Sequence, residues 1–174
     1  MSVLSNTTVI SNFASIGQLD VLRQLFGTLS ISTEVYHEIQ VGLEEGYRFY
    51  DGIDQLLRPF TSDGWMELIS MTHEQELRYF HDLPARLHRG ESSCLAIARH
   101  RSWLLLTDDR DARQEAMRQG IMVSGSIGCL VLAVDHGHCS LSQANSWLDQ
   151  MIGLGYHSPV TDLSPLIKPE SLNL

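Results

Sequence analysis

The chain is short of cysteine and of positive charge, and it has no long apolar run. Its three cysteines, Cys94, Cys129 and Cys139, are odd in number and show no Cys-x-x-Cys spacing. That excludes a disulfide framework and a paired-thiol zinc site, leaving small core residues or unpaired thiols of a reducing compartment. Twelve lysines and arginines stand against 21 aspartates and glutamates, a formal net charge of −9. Such a chain lacks the extended basic footprint that tight, non-specific nucleic-acid binding needs. It can still house an acidic site neutralised by divalent cations, because the cations then supply the positive field. No stretch approaches the roughly 18 apolar residues that cross a bilayer. The opening "MSVLSNTTVIS" has neither a basic leader nor a long apolar segment, so no signal peptide and a cytoplasmic location are expected.

What is present is ordinary globular composition: 174 residues, 43% hydrophobic and 19% charged. That suits one domain with a real core. Strand-like and helix-like segments alternate from the start. "SVLS" reads as a strand and "NTTVISNFASIG" as a helix capped by Asn6, Thr7 or Thr8. "QLDVLRQLF" follows as a helix ended by Gly27, then the strand "TLSIS", then a helix capped by Thr33 with Val35, Ile39 and Leu43 on one face. A short helical excursion is expected within 46–64, with turns marked by Pro59 and Asp63-Gly64. "WMELISM" reads as an edge strand, and "RGESSCLAIARHR" as a helix whose small residues allow close packing. "WLLLT" reads as a central strand, because a continuous apolar run suits burial on both faces. "DARQEAMRQG", "IMVSG", "SIGCLVLAVDHG" and "SLSQANSWLDQMIGLG" continue the alternation. The expectation is one α/β domain over residues 1–157, a central, mostly parallel sheet with helices on both faces. A proline-bearing tail at 158–174 should pack on its surface.

In open parallel sheets, ligands bind outside the carboxyl ends of the strands. "SVLS" ends at Asn6, and "WLLLT" ends at Asp108 and Asp109. Glu91 opens the helix before "WLLLT", and Glu38 lies at the border of the apolar stripe of its own helix. Several carboxylates at one sheet edge repel each other unless a cation sits among them. Hard oxygen ligands select Mg²⁺ or Mn²⁺. Such ions activate water and stabilise the attacking and leaving oxygens of phosphodiester displacement.

Three stretches carry a resemblance: "SNTTVISNFASIGQLDVLRQLFGTLSISTEVYHEI", "RGESSCLAIARHRSWLLLTDDRDAR" and "IMVSGSIGCLVLAVDHG". In this order they resemble the PIN-domain family, in particular its VapC-like prokaryotic branch, across most of residues 3–137. The resemblance implies a PIN-like, Rossmannoid fold and a Mg²⁺- or Mn²⁺-dependent ribonuclease. It also implies the toxin half of a toxin–antitoxin pair, with a small antitoxin partner and a homodimer. Carried over residue by residue, the family's acidic positions fall on Asn6, Glu38, Glu91 and Asp109, with Asp108 competing for the last place and Thr107 orienting the metal's water. Asn6 departs from the family pattern, which has an aspartate there.

Blander readings exist for the same residues. Asp108, Asp109 and Asp111 can cap the following helix, Asp111 being the best placed to face its dipole. "HGH" at 136–138 reads as a helix end rather than a metal site, and "SGSIG" at 124–128 as packing and capping rather than a phosphate loop. The functional alternatives are a PIN-like module weakened by Asn6 that binds RNA or a protein, and an unrelated Rossmann-like small-molecule enzyme. No glycine-rich fingerprint follows the first strand, which counts against the last.

Overall fold

The middle of the sheet is made where the sequence is most continuously apolar. Leu104–Leu106 (β5) lies beside Val3–Ser5 (β1), with Leu4, Leu105 and Leu106 essentially inaccessible. In the computed structural model, which describes residues 1–168, these two strands are flanked by Leu29–Ser32 (β2) and Val123–Ser124 (β6). Met66–Ile69 (β4) and Leu57–Arg58 (β3) extend the β2 side. The order is β3-β4-β2-β1-β5-β6, and every neighbouring pair runs parallel.

Parallel strands need crossovers, and helices supply them. Thr7–Ser15 (α1), Leu19–Phe26 (α2), Ser126–Asp135 (α7) and Leu141–Gly153 (α8) form one mutually contacting group. Thr33–Glu44 (α3), Glu74–Asp82 (α4), Arg89–Arg101 (α5) and Arg110–Arg118 (α6) form the other. α5 is buried from Gly90 to Ala98, because Cys94, Ala96 and Ala98 are small enough to lie close against the sheet. Cys94 and Cys129 are buried and Cys139 is half-buried, all three unpaired.

Three local expectations are corrected. The cap of α3 is Ser32, not Thr33. Ser32 ends β2 in an extended conformation, so its hydroxyl accepts from Val35 N at 3.1 Å, while the Thr33 hydroxyl turns to Glu34. β4 is not an edge strand, since β3 pairs outside it. Gly64 makes that pairing possible: a Cβ there would stand 2.7 Å from the Leu56 carbonyl and 2.9 Å from the Arg58 nitrogen. The segment 46–64, read as a helical excursion, holds two 3-10 turns as well as this strand.

Beyond α8 the chain returns to the core. Leu163 and Ile167 are buried, and the Asn145 side chain anchors the return, donating to Asp162 at 2.8 Å and accepting from Leu163 N at 2.9 Å. Residues 169–174, the end of the expected surface tail, lie outside the described residues. No described helix is long and apolar enough to cross a membrane.

This strand order also locates the site. The chain leaves β1 toward β2 and β4, then returns to build β5 and β6 on the other side. The reversal opens a crevice outside the carboxyl ends of β1 and β5, where ligands bind in folds of this kind.

Candidate active site

β1 and β5 are in register from Val3 opposite Leu104 to Ser5 opposite Leu106, so Asn6 and Thr107 emerge side by side. Backbone bonds extend the ladder past the strands, with Asn6 N donating to the Leu106 carbonyl at 3.0 Å and Thr107 N to the Ser124 carbonyl at 2.9 Å. Asn6 is buried and joins the two strand ends. Its Oδ1 accepts from Thr8 N (3.1 Å) and the Thr8 hydroxyl (2.7 Å), capping α1, and its Nδ2 donates to the Thr107 hydroxyl at 2.7 Å. The Thr107 hydroxyl, fully buried, also accepts from Asp109 N at 3.2 Å, and the Thr8 hydroxyl accepts from Asp108 N at 3.0 Å. An amide that donates at one end and accepts at the other therefore fixes both turns at once.

Three carboxylates gather around this hub from three helices. Glu38, half-buried on α3, reaches across to the start of α5, where Oε1 accepts from Gly90 N at 2.9 Å and Oε2 from the Thr7 hydroxyl. Glu91, in the first turn of α5, folds back to accept from His88 N at 2.9 Å, a capping arrangement that uses only Oε2. Asp109 caps α6, its Oδ1 accepting from Ala112 N at 2.7 Å, with Oδ2 uncommitted. Burial pushes the Glu91 carboxyl above its ordinary value. The His88 amide works against the shift, and the Asp109 and Glu38 charges add to it. These carboxylates thus feel each other in a partly dry site, the arrangement that a cation relieves.

Asp108 is engaged differently. Its Oδ1 accepts from Ser126 N (2.9 Å) and Tyr156 OH (3.2 Å), its Oδ2 from Asn12 Nδ2 (3.0 Å) and the Ser126 hydroxyl (2.6 Å). Four donors from α1, α7 and the segment after α8 surround it. Burial and the Asp108 charge push the Tyr156 hydroxyl upward, so Tyr156 stays a donor. A Cβ on Gly125 would collide with Asp108 Oδ1, so the glycines of "SGSIG" serve close packing, as read from the sequence. Asp111 sits in the first turn of α6 and faces Arg86 at 3.6 Å; the cap belongs to Asp109 instead, because only the residue before the helix can turn its side chain onto the third amide. Gly137 ends α7 with φ +72°, and His136 and His138 are exposed, as an ordinary helix end requires.

Among the described residues, no three His, Cys, Asp or Glu side chains form a ready metal cage. The donor set still suits Mg²⁺ or Mn²⁺, which bind through one or two carboxylates and fill their remaining positions with water and substrate oxygens. Glu91 Oε1 and Asp109 Oδ2 are the uncommitted oxygens, and Glu38 is the neighbouring charge. Asn6 has its amide oxygen and nitrogen both in use within the protein.

A family model described as PIN domain matches residues 2–168. The chain is a PIN domain. Proteins of this family are in general metal-dependent nucleases. This PIN domain is similar in fold to a PilT N-terminus domain protein, SSO1118, from the hyperthermophilic archaeon Sulfolobus solfataricus P2. The TM-score is 0.51 at 14% identity, over 78% of this chain and 96% of that one. VapBC2 from Rickettsia felis, solved bound to a DNA fragment from its promoter, gives a TM-score of 0.49 at 16% identity, over 72% of this chain and 98% of that one. At such identities the likeness concerns fold alone. No curated protein matches the chain.

Several participants were not singled out from the sequence. Gly90 is the most informative: a Cβ there would stand 2.5 Å from Glu38 Oε2 and 2.6 Å from Oε1. The signal for it was a glycine inside the first turn of a helix, against propensity, beside an acid. Asn12, Ser126 and Tyr156 gave no such signal, since their meeting on Asp108 is purely tertiary.

Proposed function

We propose that this PIN domain is a Mg²⁺- or Mn²⁺-dependent endoribonuclease, with Glu91 and Asp109 as the direct metal ligands and Glu38 as the third charge. The observation that supports this most is the meeting of Glu38, Glu91 and Asp109 from three helices at the topological switch point, with burial first, and the Asp109 and Glu38 charges after it, raising the Glu91 carboxyl. When bound, the metal would supply water activation and charge stabilisation for phosphodiester hydrolysis. The chain's own groups do the positioning. Gly90 N and Thr7 hold Glu38, His88 N holds one oxygen of Glu91, and Ala112 N holds one oxygen of Asp109. Asn6 and Thr107 lock the two turns that carry this set. In this reading Asp108 belongs to the scaffold, since its four hydrogen-bond donors leave it turned toward the protein.

The test is cleavage of RNA by purified protein with Mn²⁺, set against Asp109→Asn and Glu91→Gln. Equal cleavage by wild type and both variants would refute the assignment. A toxin role with a small antitoxin, a homodimer and a cytoplasmic location accompany this reading and rest on the family resemblance. A basic antitoxin segment would suit the acidic crevice of a chain with net charge −9.

One observation favours a second reading, a weakened module that binds RNA or protein without turnover: Asn6 stands in the place of an acid and spends its amide internally. Asn6→Asp separates the two. A large gain in metal affinity and cleavage marks a weakened site, whereas unchanged cleavage marks a working site that uses Asn6 as structure.

A further inference from the structure

Seven of the eleven arginines lie within salt-bridge distance of a carboxylate. Among the described residues the other four, Arg89, Arg99, Arg110 and Arg113, have none. Arg113 donates to the Thr107 carbonyl at 2.9 Å, and Arg99 stacks on Tyr79 with its guanidinium 4.2 Å from the ring centre. Arg89 and Arg110 are the exposed first residues of α5 and α6, where the helix dipole is positive and a cation is disfavoured. Arg89 stands two residues from Glu91, with its guanidinium 5.5 Å from the Phe80 ring centre. Without a carboxylate in salt-bridge distance, a cation held against its helix's own field is free to meet an anion from outside the chain.

Arg89 also lines a pocket of about 410 Å³, together with Thr33, Glu34, His37, Glu38 and His88. Glu38 on its wall joins it directly to the carboxylates of the proposed reaction. The volume falls in the roughly 300–1,000 Å³ range of organic ligand sites. Its lining is mixed in a specific way: one cation, two imidazoles, a threonine, and two carboxylates, of which Glu38 is already taken by Gly90 and Thr7. A pure anion would be repelled by Glu34, and a cationic ligand by Arg89. A nucleotide satisfies both, offering phosphate oxygens to the guanidinium, hydroxyl or amino donors to Glu34, and a flat base to the imidazoles.

We infer that this pocket is the subsite for the nucleotide next to the scissile phosphodiester, with Arg89 holding that nucleotide's phosphate. The inference rests on the nuclease reading and deepens it by naming the pocket and the side chain that hold the neighbouring nucleotide; a paired and stacked base cannot enter such a side pocket. Arg89 is a substrate-binding residue here and takes no part in bond cleavage.

The test is binding of a short labelled single-stranded oligoribonucleotide in EDTA, followed by anisotropy across a salt series, so that no turnover intervenes. Arg89→Ala should weaken binding about tenfold and lower the salt slope by about 0.7, the contribution of one single-strand phosphate contact. Arg89→Lys should keep the slope, and Arg99→Ala should change neither. With Mn²⁺ added, Arg89→Ala should raise KM far more than it lowers kcat. Its melting temperature should hold or rise, because a cation leaves a helix N-terminus. Binding within twofold of wild type for Arg89→Ala, an equal loss for Arg99→Ala, or equal binding of a duplex of the same length would each overturn the subsite. Wild-type protein that cleaves RNA with an indifferent Arg89 overturns the subsite alone. Wild-type protein that neither binds nor cleaves RNA overturns the nuclease reading and the subsite with it.

Discussion

Gly90→Ala tests the site without touching a carboxylate. Gly90 sits in the first turn of α5 with no left-handed φ, so alanine fits the backbone. Its Cβ would meet Glu38 Oε2 at 2.5 Å, Oε1 at 2.6 Å and Cδ at 2.7 Å. The carboxylate must therefore withdraw by about 1 Å to reach ordinary contact distance. The obstacle is the end of a flexible side chain, so the fold itself accommodates the change. The 2.9 Å bond from Gly90 N to Glu38 is lost, at about 1.5–3 kcal/mol for a charge-assisted bond. Alanine returns up to about 1 kcal/mol in helix propensity. The net loss is about 0.5–2 kcal/mol, a fall in melting temperature of a few degrees for a chain of this size. Catalysis responds more steeply, since misplacing a reacting group by about 1 Å costs on the order of 100-fold.

The assay is single-turnover RNA cleavage with Mn²⁺ alongside thermal melting, for Gly90→Ala, Glu38→Gln and the double variant. Gly90→Ala is expected to lose about 100-fold in rate while remaining folded. Adding it to Glu38→Gln should cost little more, because both act through the same carboxylate. Full activity in Gly90→Ala would show that the position of Glu38 is irrelevant to the chemistry. Additive losses would show that Gly90 acts by some route other than Glu38.

Glu91→Gln should abolish cleavage yet raise the melting temperature of the metal-free protein. Glutamine keeps the capping bond to His88 N and removes a carboxyl whose raised pKa marks a stability contribution that is lost as pH rises through it; the same variant should no longer be stabilised by Mn²⁺ in differential scanning fluorimetry. Asp108→Asn turns a four-bond acceptor into a group that must present donors to donors, costing about 2–4 kcal/mol by denaturant melting, while Mn²⁺ affinity per folded molecule stays near wild type; loss of that affinity would make Asp108 a ligand. Glu76 is fully buried and takes two bonds from Arg101 and two from the Thr72 and His73 amides. Burial alone would raise its carboxyl, but these bonds lower it below 4.5, so its stabilisation is complete above that pH and lost as pH falls through the depressed value. Arg101→Met should therefore destabilise by about 3 kcal/mol at pH 7, and by much less near pH 3 in chemical denaturation.

The elements legible in the sequence were those in which one residue type decides the matter. "WLLLT" could only be a doubly covered strand, and "RGESSCLAIARHR" matched α5 end to end because its alanines and cysteine require a close partner surface. Parallel alternation then placed Asn6 and Asp109 on one edge. What stayed hidden was set by tertiary geometry. β3 is two residues long, too short for any period to register, so β4 looked like the edge. Adjacent Asp108 and Asp109 look equivalent in a string, yet the turn after β5 aims one into the donors of α1 and α7 and the other onto the first amides of α6, where its charge acts on Glu91. Asp111, favoured as the cap, was displaced by Asp109 for the same reason: the turn decides which carboxylate meets the helix amides.

Asn6 looks like a missing charge when it is compared only with the acids. Within the structure it answers a different requirement. Thr107 Oγ1 already accepts from Asp109 N, and Asn6 Nδ2 supplies a second donor that a carboxylate does not carry. An aspartate there would force the Thr107 hydroxyl to donate instead, and would add a fourth negative charge beside a Glu91 already pushed upward by Asp109 and Glu38. In the absence of metal the amide is therefore the more stabilising choice, because it ties β1 to β5 without increasing the repulsion. In the proposed nuclease the same exchange would lower the charge available to a cation, so this position would set the balance between a rigid crevice and a strongly binding one.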